Sequence, residues 1–203
     1  MAPRGVGGLK QAEADRRRLL GLMLSRAFRV GDFLLVSGRR SPYYFDGRLV
    51  TLDAEGSLLV GRAILQFARE DGVSKIGGPT LGADPMVTAV ALCSALDEGP
   101  RISAFIVRKE VKEHGAGGWC AGEAPEPGEA VALVDDALTT GGSLLRTAGQ
   151  VAAVGARIVA IYTLLDREEG GRERLEAAGY RTRSVFVRSD LLTADGQALP
   201  AAP

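Results

Sequence analysis

The sequence predicts an α/β fold: a parallel sheet flanked by helices, with a small N-terminal hood of helix and short strands. Three observations predict it. From residue 74 onward, short apolar runs rich in β-branched residues alternate with helix-length segments, the rhythm of a parallel sheet covered by helices on both faces. Before residue 50 the rhythm differs, with one amphipathic segment followed by two short β-like runs around a turn. The length of 203 residues and the 46% apolar share suit one domain with a sizeable core.

The elements follow in order. Residues 1–9 and 196–203 read as frayed tails of this single domain, 1–203. Gln11 to about Arg29 is helical, with Leu19, Leu20, Leu22, Met23 and Ala27 on one face. Phe33–Ser37 and Tyr43–Asp46 flank the turn chemistry of Ser37-Gly38-Arg39-Arg40-Ser41-Pro42, which predicts a hairpin. Residues 10–50 thus form the hood. Ala54–Asp71 is helical through Leu58, Leu59, Ile64, Leu65, Phe67 and Ala68. Strands follow at Ser74–Gly77, Ile102–Val107, Val131–Val134, Arg157–Leu165 and Arg181–Val187. Between them lie helices at Pro85–Leu96, Gly142–Val154 and Glu169–Gly179. The stretch 108–128 is rich in Gly and charge and has no periodicity, which marks a functional loop.

Counting excludes several chemistries. Lys+Arg and Asp+Glu are both 25, so neither a nucleic-acid coat nor a polybasic membrane binder is expected. The one histidine, His114, and two cysteines, Cys93 and Cys120, cannot build a Cys₄ or Cys₂His₂ zinc site. The cysteines read as buried small apolar residues or as free thiols in a reducing compartment. No apolar run is long enough to span a membrane, and a cytoplasmic protein is expected.

Four stretches carry chemistry. The sharpest is Val131-Ala-Leu-Val-Asp135-Asp136-Ala137-Leu138-Thr139-Thr140-Gly141-Gly142-Ser143: a buried strand, two carboxylates at its end, then a small-residue turn opening a helix. Backbone N–H groups at such a turn cradle a phosphate, and ligands of open α/β sheets bind beyond the strands' carboxyl ends. The carboxylates can accept hydrogen bonds from vicinal hydroxyls or hold a hydrated magnesium. Cradle and diol acceptors together point to a ribose 5-phosphate. A plain N-capped helix is the other reading of the Asp and Thr residues. Second, Arg108, Lys109 and Lys112 crowd positive charge ahead of His114-Gly115, fit to close over a polyanion, although Glu110 and Glu113 partly offset it. Third, Ser41-Pro42-Tyr43-Tyr44-Phe45-Asp46 offers adjacent aromatics that stack a flat heterocycle or pack in the core. Fourth, Asp166-Arg167 ends a strand, and arginine's planar fork reads a carboxylate or pairs locally with Asp166.

The first string closely resembles the phosphoribosyl pyrophosphate (PRPP) motif of type I phosphoribosyltransferases. The Arg108–Gly115 stretch resembles the catalytic loop of the orotate phosphoribosyltransferases, and the stretches 37–46, 78–85 and 165–170 resemble other segments of the same enzymes, in the same order. The resemblance implies a type I phosphoribosyltransferase-like fold and transfer of the phosphoribosyl group from PRPP to orotate in de novo pyrimidine synthesis. It implies Lys112, His114, Asp135 and Asp136 as catalytic. It places PRPP on Arg108, Lys109, Lys112, His114, Asp135, Asp136 and Ala137–Ser143, with Asp135 and Asp136 at the ribose hydroxyls. Tyr44, Phe45, Thr139 and Arg167 would hold orotate. Mg²⁺ would arrive on PRPP, without a direct protein ligand, water-bridged to the two aspartates. A homodimer is implied, its 108–118 loop reaching the neighbouring site. Two departures stand out: Val36 and Leu81 occupy positions where many members carry lysine or similar cations. The alternatives are another purine or pyrimidine phosphoribosyltransferase and a non-catalytic PRPP-binding regulator.

Overall fold

The computed structural model describes residues 6–34, 40–109, 118–192 and 197. Helix α1 (Val6–Leu22) runs into a π-helical turn (Met23–Ala27), then the antiparallel hairpin β1 (Phe28–Leu34) and β2 (Arg40–Phe45). A short helix α2 (Arg48–Thr51) and the longer α3 (Ala54–Glu70) lead into the main sheet. Its members are β3 (Lys75–Pro79), β4 (Ser103–Val107), β5 (Cys120–Gly122), β6 (Ala130–Leu138), β7 (Arg157–Asp166) and β8 (Thr182–Val187). The connecting helices are α4 (Ala83–Leu96), α5 (Gly142–Ala153) and α6 (Gly171–Ala177). Strand order is β5-β4-β3-β6-β7-β8, parallel throughout except at β5. The mostly parallel sheet flanked by helices is the α/β architecture expected from the sequence, with the helix and hairpin of the hood preceding it.

Alternation along β6 divides the core. Val131 and Leu133 point to one face, where Leu144, Ala148 and Val151 of α5 cover them. Ala132 and Val134 point to the other, against α3, α4 and the hood. A strand buried on both faces has no polar side to show, and this is why 131–134 reads as an unbroken apolar run. Helix α3 starts at the Asp53 N-cap, whose carboxylate accepts from the amides of Glu55 (3.1 Å) and Gly56 (3.0 Å).

Several boundaries differ from expectation: the hairpin strands are Phe28–Leu34 and Arg40–Phe45 rather than Phe33–Ser37 and Tyr43–Asp46, and α6 is shorter than expected. The α1 backbone is helical from Val6, inside the stretch read as a tail. It gives way to β1 at Phe28, because Phe28 pairs with Phe45 of the hairpin. Strand β5 was not expected. Its three residues are too short to show a period, and pairing with β4 supplies what the local sequence lacks. Finally, β6 does not end before the acids. It runs to Leu138, because β7 keeps pairing it through Asp135↔Thr163 and Leu138↔Asp166 after the β3 ladder stops at Leu133.

Candidate active site

The parallel strands β4, β3, β6 and β7 end on the same rim, and each delivers one of the stretches singled out in the sequence. Arg108 follows β4, Thr80–Gly82 follow β3, the acids and Thr139–Ser143 come with β6, and Arg167 follows β7. The one-sided pairing of β6 beyond Leu133 leaves Asp135 and Asp136 beside the turn that follows β3. There Gly82 makes the close approach feasible: a Cβ on it would stand 2.4 Å from Asp135 Oδ1 and 2.6 Å from Asp136 Oδ1. Gly47 approaches Asp136 from the hood side, where a Cβ would stand 2.8 Å from Asp136 Oδ2. Gly47 was not singled out in the sequence, and Gly82 only as part of the stretch 78–85. Their role comes from tertiary approach, and nothing local announces it.

Asp135 is 9% exposed. Its Oδ1 accepts from the Asp136 amide (3.0 Å) and its Oδ2 from the Ser143 hydroxyl (3.3 Å). Burial first, and the neighbouring Asp136 charge second, push its carboxyl up to about 7. Asp136 is pushed up as well, mainly by burial, while the Arg48 guanidinium pulls the other way. Arg48 is oriented by Asp46, which takes both its Nε (2.8 Å) and Nη2 (2.9 Å). The site therefore holds two acids that resist carrying two negative charges until a cationic or hydroxyl-bearing partner arrives.

Next to the acids, α5 opens without a side-chain cap. Its N-cap is Gly141 at φ 71°, the left-handed region that glycine enters freely. Ser143, at the second helical position, donates to Asp135. The first amides of α5 are thus left for an anion at the positive end of the helix dipole. Arg174 braces the turn by donating from Nη1 to the Thr140 carbonyl (3.3 Å). Ala137 and Leu138 contribute through their place in β6; the Leu138 side chain is core and its carbonyl accepts from the Arg167 amide (2.9 Å).

Arg167 is a charged residue only 9% exposed. Its Nε donates to the Tyr43 hydroxyl (3.0 Å) and lies 3.1 Å from Glu169 Oε1, whereas Nη2 is buried without a partner among the described residues. Asp166 does not pair with it. That carboxylate takes Arg172 Nε (2.8 Å) and the Glu168 amide (2.9 Å). The strand-end salt bridge offered by adjacency is therefore not made, and Arg167 faces the rim with a donor to spare. Tyr43, quoted in the sequence but not chosen, is its main contact.

Residues of β2 alternate, so Ser41, Tyr43 and Phe45 are buried and Tyr44 is 40% exposed, its ring 5.7 Å from that of Phe33. Tyr44 and Phe45 consequently point to opposite faces and cannot stack on the same heterocycle. Phe45 is a core residue, and Tyr44 alone presents a ring to the outside. Of the cationic stretch, Arg108 is half-buried with Nε lacking a partner among the described residues, and Lys109 is exposed. Lys112 and His114 lie outside the described residues, as do Val36 and the tip of the hood hairpin. No helix among the described residues is long and apolar enough to cross a membrane.

Comparison with known proteins shows the family. The family model for the phosphoribosyl transferase domain matches residues 51–185. The chain is 40% identical over 176 residues to the orotate phosphoribosyltransferase of Synechocystis, covering 87% of this chain and 88% of that one. It is 40% identical over 181 residues to the orotate phosphoribosyltransferase of Aquifex aeolicus, covering 88% and 98%. The Mycobacterium tuberculosis orotate phosphoribosyltransferase, solved in complex with PRPP, superposes with a TM-score of 0.72 at 36% identity, over 87% of this chain and 98% of that one. A buried acid pair, an uncapped helix start and a waiting arginine, on a fold and a sequence shared this widely, place the chain in the phosphoribosyl transferase family, among its orotate phosphoribosyltransferases.

Proposed function

We propose that the chain transfers the 5-phosphoribosyl group from PRPP to orotate, giving orotidine 5′-monophosphate and pyrophosphate. The observation that carries this reading is the joint placement on one rim of Asp135 and Asp136, the uncapped α5 start and the buried, unpartnered Nη2 of Arg167. The amides of Thr139–Ser143 take the 5-phosphate. Asp135 and Asp136 accept from the ribose 2- and 3-hydroxyls. As the C1–O bond breaks, positive charge develops on the sugar and the acids stabilise it, while negative charge gathers on the departing pyrophosphate. Arg108, Lys109, Lys112 and His114 receive that charge. Orotate lies against Tyr44 and Thr139, with Phe45 backing the strand from the core, and offers its carboxylate to Arg167. Its ring nitrogen forms the bond to C1 as the C1–O bond to the diphosphate breaks, and the proton of that N–H passes to the departing pyrophosphate, so the protein positions, neutralises and excludes water.

The acid pair also fits Mg²⁺. Two carboxylates held above their ordinary range are relieved by a dication, and no cluster of three acidic, His or Cys side chains among the described residues completes a cage. A magnesium ion prefers to keep substrate phosphates and waters in its shell, so Asp135 and Asp136 would meet it through water. When bound it neutralises the diphosphate. Cys93 and Cys120 are both free thiols, which supports a cytoplasmic, reducing location. We take the working form to be a homodimer whose 108–118 loop serves the neighbouring site.

The test is optical. Adding PRPP and Mg²⁺ to the purified protein with orotate should remove the orotate absorbance, and leaving out PRPP should abolish the loss. No PRPP-dependent loss would overturn the assignment, and turnover of a purine or of uracil instead would move it to another phosphoribosyltransferase. Binding of PRPP without turnover of any base would mark a regulator.

A further inference from the structure

Arg167 is held by a device the reaction itself does not require. Its guanidinium carbon lies 4.9 Å over the Tyr43 ring, and that ring is stacked on Phe28 at 5.2 Å and 24°. Tyr43 is 3% exposed, and burial pushes its phenol above the ordinary range, so it stays neutral and keeps its proton to donate. The hydroxyl accepts from Arg167 Nε (3.0 Å) and donates to Glu169 Oε1 (3.4 Å), which itself lies 3.1 Å from the same Nε. A guanidinium can fork onto a carboxylate through Nε and Nη2 from the side, or through its two terminal nitrogens end-on. With Nε occupied, only the end-on fork remains, and Nη2 is the donor left buried and unsatisfied. Leaving a buried donor unpaired is costly, and a ligand carboxylate relieves that cost.

Resting on the functional reading above, we propose that Tyr43, backed by Glu169, is a positioning residue that fixes Arg167 for end-on recognition of the orotate carboxylate and so sets the preference for a carboxylated pyrimidine. The hood hairpin, through Phe28 and Tyr43, is then part of base selection. Tyr43 does not touch the reacting atoms. It acts through Arg167, and removing its hydroxyl leaves Nε to Glu169 alone and lets the fork rotate.

The test is a double-mutant cycle in the orotate assay, with Tyr43→Phe, Arg167→Gln and the double variant. Tyr43→Phe keeps the ring and its stacking. It should raise the orotate KM about tenfold, as loss of one hydrogen bond to a charged group does. The PRPP KM and kcat should stay within about twofold, and the orotate-to-uracil preference should narrow. In the Arg167→Gln chain the same change should alter the orotate KM by less than about twofold, because its target is gone. A purely structural role would lower the thermal midpoint and move both substrates together. An unchanged orotate KM, or an equal penalty with and without Arg167, overturns the proposal. Should Tyr43→Phe not fold, Glu169→Gln goes through the same cycle, and any KM change that persists without Arg167 overturns it. A wild-type chain that consumes no orotate overturns the functional reading and this inference with it. A wild-type chain that does so while Tyr43→Phe is silent overturns this inference alone.

Discussion

A carboxylic acid buried beside a second one binds its proton more tightly in the fold than in the unfolded chain. For Asp135 the folded value is about 7 against an ordinary 3.8. Between those values the folded state holds more protons than the unfolded state, so stability falls as pH rises through this window and levels off above it. The ligand-free protein should therefore melt at a higher temperature at pH 5 than at pH 7.5. Asp135→Asn keeps the shape while removing the charge: its Oδ1 still accepts from the Asp136 amide, and its Nδ2 can donate to the Ser143 Oγ. It should raise stability at pH 7.5 by about 1–2 kcal/mol and flatten the pH dependence, measured by thermal melts in matched buffers. Turnover responds in the opposite sense. Asp135→Asn with Asp136→Asn should cost at least ~10²-fold through lost charge stabilisation at the ribose, and near-wild-type rates would remove the pair from the mechanism. The orotate specificity belongs at this scale too. Uracil would leave Arg167 Nη2 buried and unpaired, so its kcat/KM should fall ~10⁴-fold below that of orotate, in a direct comparison of the two bases. The acids and Arg167 were legible because their types and neighbours are unusual in the sequence. Tyr43 was hidden among adjacent aromatics until the pleat of β2 decided which ring faced Arg167, and Gly47 and Gly82 matter only through what folds against them.

Elements were legible where periodicity is long. The apolar spacing of α3 and the unbroken run in β6 located both elements. Their ends were less legible, because an end is decided by a partner strand rather than by the strand itself, as β7 does for β6 and β2 does for the exit from α1. The turn between β6 and α5 makes the clearest element-level prediction. Gly141 sits at φ 71°, and a Cβ there would stand 3.1 Å from the Gly171 carbonyl. Gly141→Ala should cost about 1–2 kcal/mol from the left-handed backbone alone. The same change should raise the PRPP KM, because the strained turn re-aims the α5 amides. A melt and a PRPP titration read the two effects separately, and a destabilised chain with an unchanged PRPP KM would remove the turn from the phosphate site.

At the scale of the whole molecule, the expectation is assembly. If the 108–118 loop serves its neighbour, a Lys112→Ala chain and an Asp135→Asn/Asp136→Asn chain, each weak alone, should complement after mixing. Equal amounts with random exchange leave half the dimers mixed, each with one intact site of two, so roughly a quarter of wild-type activity should return. Mass measurement confirms exchange, and exchange without recovery would mean that each loop closes over its own chain. Lys112→Ala alone should cut turnover ~10²–10³-fold, with the melting temperature nearly unmoved.

The base of that loop imposes a limit on the assembly. The Arg108 amide donates to the Trp119 carbonyl at 3.0 Å, and Val107 faces Cys120 in the β4–β5 ladder. The two ends of the segment 109–118 are therefore pinned together, and its chain must go out and return. At the extension of a fully stretched backbone, half of that contour is about 18 Å. That contour is an upper bound on reach, whatever path the segment takes. A second copy that draws on its charges must bring its own Asp135 and Gly141 within about 25 Å of Arg108, once the reach of a lysine side chain is added. A distance measured between labels at Trp119 of one chain and Ser143 of the other would show whether the assembly meets this bound.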